Sequence, residues 1–238
     1  MTDFDCERYH DINDYIRLIA ILRAPDGCPW DRAQTHRSIR RNCLEEAYEV
    51  CEAIDEDDPD HLKEELGDLL MQIIFHAGIE ADAGRFDFND ICDASCRKLI
   101  NRHPHVFGDR EANRGAEAAE VWEKAKRAEH GQASTADAID GVARTLPSLW
   151  RAQKMLKKAA AADTVPADDL AQCVSAFADA QAEDAERLFG KLILSAAEAA
   201  AKKGIDAEAA AQRGCDAFAA DYREAEEKNP NLEDMRHE

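Results

Sequence analysis

The sequence predicts an all-α protein built from two successive helical domains. Apolar residues recur at spacings of three and four along most of the chain, and alternating strand patterns are absent over any useful length. The 238 residues include only 11 glycines and 7 prolines, so positions that interrupt helices are few. The composition becomes alanine-rich after a small polar stretch at 131–135. An all-α bundle, ferritin-like or of another type, is therefore the expected architecture.

Five helices are expected in the first half, and the first three carry apolar residues at helical spacing. Two prolines and a glycine in Pro25–Pro29 end the first helix. The Asp57–Asp60 turn separates the second helix from the third and supplies a cap, and Gly84 follows the third as a C′ glycine. The helices are expected over Asp11–Arg23, Thr35 to about Asp55, His61 to about Ala83, Asp87 to about Arg102, and Ala116–Glu129.

The second half is expected to form three alanine-rich helices. They cover about Leu146–Ala162, Ala167–Ala201 and Asp206–Lys228. Alanine favours helix formation and also allows close helix packing. We therefore expect a first domain at residues 1–130, a linker at 131–140, and a second helical domain at 141–238.

Charge and cysteine usage limit the classes of partner. Thirty basic against fifty acidic residues give a formal charge of −20, which repels nucleic acid polymers and anionic membranes. A chain of this charge that handles phosphates would need divalent cations. The acidic residues 1–5 lack a signal-peptide pattern, and the apolar stretch near Leu69–Ile79 is too short to cross a bilayer. Eight scattered cysteines without a Cys-x-x-Cys pair are expected to be reduced, which favours the cytoplasm.

Two neighbouring helices carry the most informative pattern, a set of closely spaced carboxylates. Glu46 and Glu49 are three residues apart on one helix, and Glu65 and Asp68 are three apart on the next. Residues at this spacing lie on the same side of a helix. The short connection makes the helices antiparallel, so the two pairs can face each other across a groove. Hard oxygen ligands of this kind suit Mg²⁺ or Mn²⁺.

Other interpretations of the carboxylates remain open at this point. Glutamates in a very acidic protein also form ordinary solvated helix faces. Two details favour a site: the glutamates flank the apolar stripe, and Gly67 interrupts a strong helix at a cost of about 1 kcal/mol relative to Ala. We expect something to approach the backbone closely at Gly67. A di-iron bundle needs two Glu-x-x-His units, and the sequence has only Glu7-x-x-His10.

At these residues the sequence resembles the MazG family of nucleoside triphosphate pyrophosphohydrolases. Glu45-Glu46-x-x-Glu49 followed by Glu65-x-x-Asp68 reproduces the family's metal motif. The resemblance covers about Ile12–Glu129. It implies an all-α, MazG-like bundle, usually dimeric, that splits nucleoside triphosphates into the monophosphate and pyrophosphate with Mg²⁺. Further matching segments are Gly27–Asp31, Gln34–His36, Gly84–Phe88 and Arg102–Phe107.

The resemblance also suggests substrate contacts. Lys98 and Arg102 match basic residues that contact the triphosphate, and Trp122 with Lys126 matches a tryptophan–lysine pair that contributes to nucleotide binding. Lys98 and Arg102 lie four apart on one helix face, which suits a phosphate clamp, although ordinary surface charge gives the same pattern. Trp30 either stacks on a base or anchors the proline-rich turn in the core.

The expected mechanism follows from charge. The metal and the basic pair offset the triphosphate charge while water attacks the α-phosphorus in line. Glu45 or Glu49 orients or deprotonates this water, and the sequence does not choose between them. A non-catalytic helical module that binds nucleotides or a protein partner is the alternative function.

The second half departs from the family's pattern. Residues 146–154 resemble the start of a second copy, but Ser175–Ala180 and Leu188–Lys191 stand where its acidic motifs are expected. Lys191 takes the place of an aspartate ligand, so this half is expected to bind Mg²⁺ poorly. We expect it to be a degenerate copy with a structural or dimerisation role.

Overall fold

A computed structural model describes residues 4–108, 115–129, 131, 134–160 and 169–228. Within these ranges the chain forms helices and no strands, which confirms the predicted all-α class. It divides into two compact units, Met1–Val121 and Trp122–Glu238. No helix within the described ranges combines the length and the apolar character needed to span a bilayer.

The first unit contains six helices in its described part, and a seventh helix extends across the division between the units. Aspartates cap the N-termini of three of them: Asp11 and Asp87 form capping boxes, and Asp58 accepts backbone N–H bonds ahead of Pro59. The helices are α1 Ile12–Arg23, α2 Pro29–Ala33, α3 Arg40–Asp55, α4 Pro59–Asp82, α5 Phe88–Arg102, α6 Pro104–Phe107 and α7 Gly115–Glu129.

The core of the first unit lies between α1, the start of α3, and α4. Ile19, Ile39, Ile74 and Phe75 are buried together there. Gly84, at φ +67°, follows α4 in the conformation expected of a C′ glycine. The rest of α3 contributes nothing to this cluster, so its position depends on its contact with α4.

The second helix of the first half begins five residues later than expected. Thr35–Ser38 forms a turn instead, in which the Thr35 N–H donates to Ser38 Oγ at 2.9 Å. The Ser38 hydroxyl in turn donates to Gln34 at 2.7 Å. Short polar side chains that bond to nearby backbone compete with helix formation, which explains the late start at Arg40.

A polar network joins this turn to α4. Glu80 is only 7% exposed, and its carboxylate accepts bonds from Arg85 Nε at 2.5 Å and from His36 Nε2 at 2.5 Å. The other ring nitrogen of His36 lies 2.7 Å from His76 Nδ1. The hydrogen bonds from Arg85 and His36 lower the pKa of Glu80 to about 2. The network therefore fixes the segment that precedes α3 as long as Glu80 is ionised.

The second unit contains α8 Thr135–Asp140, α9 Ser148–Ala160, α10 Leu170–Ala178, α11 Ala182–Lys202 and α12 Ala207–Lys228. Its core is built from small residues, with Ala152, Ala197 and Ala207 buried together. The Gln153 side chain joins three segments: its amide donates to the carbonyls of Ala197 and Ile205 and accepts the Ala207 N–H.

One helix of the second half differs from the sequence expectation. The single helix expected over Ala167–Ala201 is wrong, because α10 ends at Ala178 and α11 begins at Ala182. The Asp179 N–H bonds back to Ser175 and the Ala180 N–H to Phe177, which completes a turn without glycine or proline. Within the segment expected to be a linker, Ser134 caps α8 in a capping box with Asp137. Ala161, Ala162, Ala167 and Asp168 lie outside the described residues.

We predict that Glu80→Gln lowers the melting temperature near neutral pH. A carboxylate whose pKa falls from about 4.5 to about 2 on folding stabilises the protein above the higher value. This stabilisation is lost as the pH falls between the two values. The deficit of the variant should therefore shrink toward pH 2, as measured by circular dichroism. Glu52→Gln, an exposed carboxylate on α3, is the matched control. An equal deficit at every pH would contradict the assignment.

Candidate metal centre

The tight turn between α3 and α4 brings acidic side chains of both helices together. Three residues connect the helices, and Asp57 adopts φ +55°, a left-handed conformation that aspartate tolerates. The Asp57 and Asp58 N–H groups bond back to the last turn of α3. The two helices therefore run antiparallel in contact, with their facing sides close to each other.

Glu46, Glu49 and Glu65 form the acidic cluster. Each offers one carboxylate oxygen, and these oxygens all lie within 4.8 Å of one another. All three side chains are partly buried. The structure thus brings together three of the four carboxylates that the sequence assigned to the metal.

The electrostatics of the cluster are unfavourable in the absence of a cation. Partial burial raises the pKa of Glu46, and the charges of Asp68, Glu49 and Glu65 raise it further. Gln72 opposes these effects by donating a hydrogen bond to Glu46 Oε1 at 3.4 Å. Close carboxylates held partly away from water match the oxygen donor set that divalent cations prefer. The residues present therefore fit a hard cation.

Asp68, the fourth predicted ligand, lies near the cluster without joining its three converging oxygens. Its charge raises the pKa of Glu46 and contributes to a raised pKa of Tyr15, whose main cause is burial. The Tyr15 hydroxyl donates to the Gly67 carbonyl at 3.2 Å, which ties α1 to this part of α4. Glu45, one of the two residues predicted to handle water, is exposed on α3.

The Tyr15 hydroxyl approaches the backbone at Gly67 through its carbonyl, but the side on which a Cβ would stand is open. A Cβ at this position would meet no other described group within 4 Å. Glycine is required at Gly27 instead, because a Cβ there would collide with the carbonyl groups of Ile21 and Leu22. The sequence alone does not reveal which of the two glycines has other atoms packed against its backbone.

The predicted substrate residues occupy different environments. Lys98 is exposed on α5, whereas Arg102, one turn later, is only 7% exposed. Trp30 on α2 is 65% exposed, which argues against the interpretation that it anchors the turn in the core. Trp122 and Lys126 belong to the second unit, where Lys126 Nζ lies 4.8 Å from the centre of the Trp122 ring.

Sequence reasoning missed two neighbours of the cluster. Gln72 is buried and bonds to Glu46. His61 Nε2 lies 3.3 Å from Glu65 Oε1, and its hydrogen bond to Glu56 raises the His61 pKa. His61 stands four residues before Glu65 and Gln72 seven residues after it, so helical spacing alone could have placed both on this face.

Comparison with known proteins identifies the segment that carries the cluster. Residues 34–107 match the family model described as the MazG nucleotide pyrophosphohydrolase domain. The chain is 48% identical over 153 residues to the nucleoside triphosphate pyrophosphohydrolase of Escherichia coli strain K12, covering 63% of this chain and 58% of that protein. It is 40% identical over 146 residues to the nucleoside triphosphate pyrophosphohydrolase/pyrophosphatase MazG of Thermotoga maritima, covering 61% and 55%.

A third relative extends the similarity over more of the chain. The nucleoside triphosphate pyrophosphohydrolase of Mycobacterium tuberculosis is 38% identical over 188 residues, which is 77% of this chain and 56% of that protein. The chain thus spans between half and three-fifths of the length of these three relatives.

We predict that Glu46→Gln raises the melting temperature of the metal-free protein near pH 7. A carboxylate whose pKa is raised on folding opposes folding once it is ionised, so a neutral amide of the same shape removes that penalty. The same change should reduce the stabilisation by millimolar Mg²⁺, because one ligand is lost. Thermal unfolding with Mg²⁺ and with a chelator measures both effects. Wild-type stabilisation of the variant by Mg²⁺ would argue against the cluster as a metal centre.

Proposed function

We propose that this chain, which carries a MazG nucleotide pyrophosphohydrolase domain over residues 34–107, hydrolyses nucleoside triphosphates to the monophosphate and pyrophosphate. The observation that carries the proposal is the convergence of Glu46, Glu49 and Glu65 inside the matched segment. The three relatives, which are named nucleoside triphosphate pyrophosphohydrolases, support the same reaction. A role in clearing non-canonical or excess ribo- and deoxyribonucleoside triphosphates would follow from this activity.

Mg²⁺ is the proposed cofactor, with Mn²⁺ as a possible substitute. Glu46, Glu49 and Glu65 would hold it, with Asp68 nearby as the fourth carboxylate. When bound, such a cation offsets phosphate charge and polarises the phosphoanhydride that breaks. The fit rests on three partly buried carboxylates whose mutual repulsion a divalent cation would relieve.

The remaining steps depend on the side chains of the chain itself. Lys98 and Arg102 on α5 would offset further triphosphate charge. Glu45 or Glu49 would orient a water molecule and accept its proton as the water oxygen bonds to the α-phosphorus. The bond between the α-phosphorus and the bridging oxygen then breaks, and pyrophosphate leaves with that oxygen. Glu49 lies in the acidic cluster and Glu45 is exposed beside it, so both positions remain candidates.

A homodimer is proposed from the outer surface of α3 and α4. Leu44 and Tyr48 lie one turn apart on α3 and are 45% and 57% exposed, and Leu66 on α4 is 49% exposed. Large apolar side chains that share a helix face and stay exposed mark interaction surfaces. A second copy of the chain would cover them without introducing charge.

The second unit is proposed to be a catalytically inactive helical domain with a structural or dimerisation role. Lys191 on α11 places a positive charge where a ligand would be needed, and no group of three converging acidic residues occurs among its described residues. The eight free cysteines fit a reducing compartment, so we propose a cytoplasmic location for the protein.

We predict that Glu49→Gln and Asp68→Asn each reduce nucleoside triphosphate hydrolysis on the order of 100-fold or more, because each removes a carboxylate that helps to hold the cation, and the cation offsets the charge of the triphosphate. Pyrophosphate release is measured with a coupled pyrophosphatase and colorimetric phosphate detection. Glu52→Gln, which removes an exposed charge from the same helix, should retain full activity.

The alternative binding module makes a different prediction for the same assay. The wild-type chain would then bind nucleotides or a protein partner, yet release no pyrophosphate from any common ribo- or deoxyribonucleoside triphosphate with Mg²⁺. That result, or full activity in both carboxylate variants, would reject the hydrolytic proposal.

We predict that Tyr48→Asp weakens self-association at least about tenfold, because a charge buried at an interface loses its hydration. Light scattering after gel filtration over a dilution series measures the shift toward monomer. Tyr48→Phe keeps the apolar ring and should remain dimeric. An unchanged mass for Tyr48→Asp at every concentration would exclude this surface as the dimer contact.

A further inference from the structure

A pocket of about 630 Å³ lies wholly within the second unit. The end of α7, the loop after α8, and one face of α9 form its walls. Three lysines line it: Lys126 from α7, and Lys154 and Lys158 from α9. This volume falls in the range of pockets that bind small molecules. The concentration of ammonium groups is unusual in a chain whose formal charge is −20.

Aromatic rings help to position two of the three lysines. Lys126 Nζ lies 4.8 Å from the centre of the Trp122 ring, and Lys154 Nζ lies 5.3 Å from the centre of the Trp150 ring. Each helix therefore presents a tryptophan followed four residues later by a lysine. Cation–π contact restricts the ammonium group while leaving its N–H donors available to a ligand.

Carboxylates only partly compensate these charges. Among the described residues, neither Lys126 nor Lys154 pairs with a carboxylate. Lys158, whose side chain is 17% exposed, has Glu123 at 3.6 Å, beyond hydrogen-bond distance. Asp137 and Asp140 also line the pocket, so its lining carries three positive and two negative formal charges. The Asp137 carboxylate also accepts the Ser134 N–H at 2.9 Å in the cap of α8.

We propose that this pocket binds the diphosphate or triphosphate group of a small anion directly through lysine ammonium groups. Lys154 and Lys158 lie one helical turn apart, so they can contact neighbouring phosphates of one chain. Ammonium groups bind phosphate oxygens as point charges and need no metal ion between them. Free pyrophosphate and a nucleotide present the same group.

This proposal does not rest on the hydrolytic function. Every residue that lines the pocket belongs to the second unit, whereas the acidic cluster belongs to the first. The resemblance of the sequence to known proteins suggested a substrate contact for Lys126. The new site is defined by Lys154 and Lys158, to which that resemblance assigned no role.

Isothermal titration of the full chain with inorganic pyrophosphate tests the proposal. A chelating buffer removes divalent cations, so the acidic cluster cannot hold a metal–anion complex. We expect saturable binding, weakened at least about tenfold by Lys154→Met and by Lys158→Met, since each removes a charged donor. Lys157→Met removes the same charge from the same helix outside the pocket and should change the affinity less than about twofold.

Lys154→Met is the decisive variant, because Lys154 is exposed and its loss strands no carboxylate partner in the part of the chain that the structure describes. Circular dichroism verifies that Lys158→Met, which leaves Glu123 without a partner, remains folded. Absence of pyrophosphate binding at millimolar concentration would overturn the proposal. Binding that Lys154→Met leaves unchanged, or that Lys157→Met weakens equally, would overturn it as well.

Parallel titrations with ATP and with adenosine distinguish the source of the phosphate group. Competition between ATP and pyrophosphate, without binding of adenosine, supports recognition through phosphate. ATP binding at least about tenfold tighter than pyrophosphate would assign the pocket to nucleoside phosphates. Equal or weaker ATP binding would assign it to the inorganic anion. Adenosine binding that competes with ATP would overturn recognition through phosphate.

Discussion

The repulsion among carboxylates between α3 and α4 is the constraint on which the functional structure depends. Glu46, Glu49 and Glu65 place oxygens within 4.8 Å of one another, and partial burial together with the neighbouring carboxylate charges raises the pKa of Glu46. The helices stay together despite this unfavourable free energy because packing elsewhere in the unit stabilises them. Functional sites commonly retain such unfavourable contacts, which a bound ligand relieves. The folded chain therefore has a geometric and electrostatic reason to bind a cation.

Two sets of contacts oppose the repulsion. The buried cluster of Ile19, Ile39, Ile74 and Phe75 joins α1 and α4 to the start of α3. The bonds of Glu80 to His36 and Arg85 secure the turn that leads into α3. Neither set reaches the outer face of α3, where Tyr48 remains exposed. On the side of the helix pair away from this core, large apolar side chains such as Tyr48 therefore stay exposed among the described residues.

The sequence predicts the helices, which follow from a periodic pattern of apolar residues. It misses turns and contacts that depend on individual hydrogen bonds. The helical class and most helix positions follow from apolar spacing, because an amphipathic stripe is a property of many residues. The Thr35–Ser38 turn and the break after Ala178 depend on local bonds that periodicity does not record. Similarly, helical spacing predicted the convergence of Glu46 with Glu49 and Glu65, whereas the buried contact from Gln72 required the packed structure.

Each unit concentrates charges of one sign at residues one helical turn apart, negative in the first unit and positive in the second. In the first, carboxylates from two helices bring their oxygens together, and a bound cation would offset their mutual repulsion. In the second, Lys154 and Lys158 repeat that one-turn spacing with ammonium groups, and tryptophan rings steady Lys126 and Lys154. A net charge of −20 surrounds the second arrangement with a negative field that discourages anions elsewhere on the surface. Repulsion by this field grows with the charge of the anion, so a polyphosphate binds only where several lysine contacts together exceed it. The pocket meets this requirement through ammonium groups from two helices, each able to contact a different phosphate.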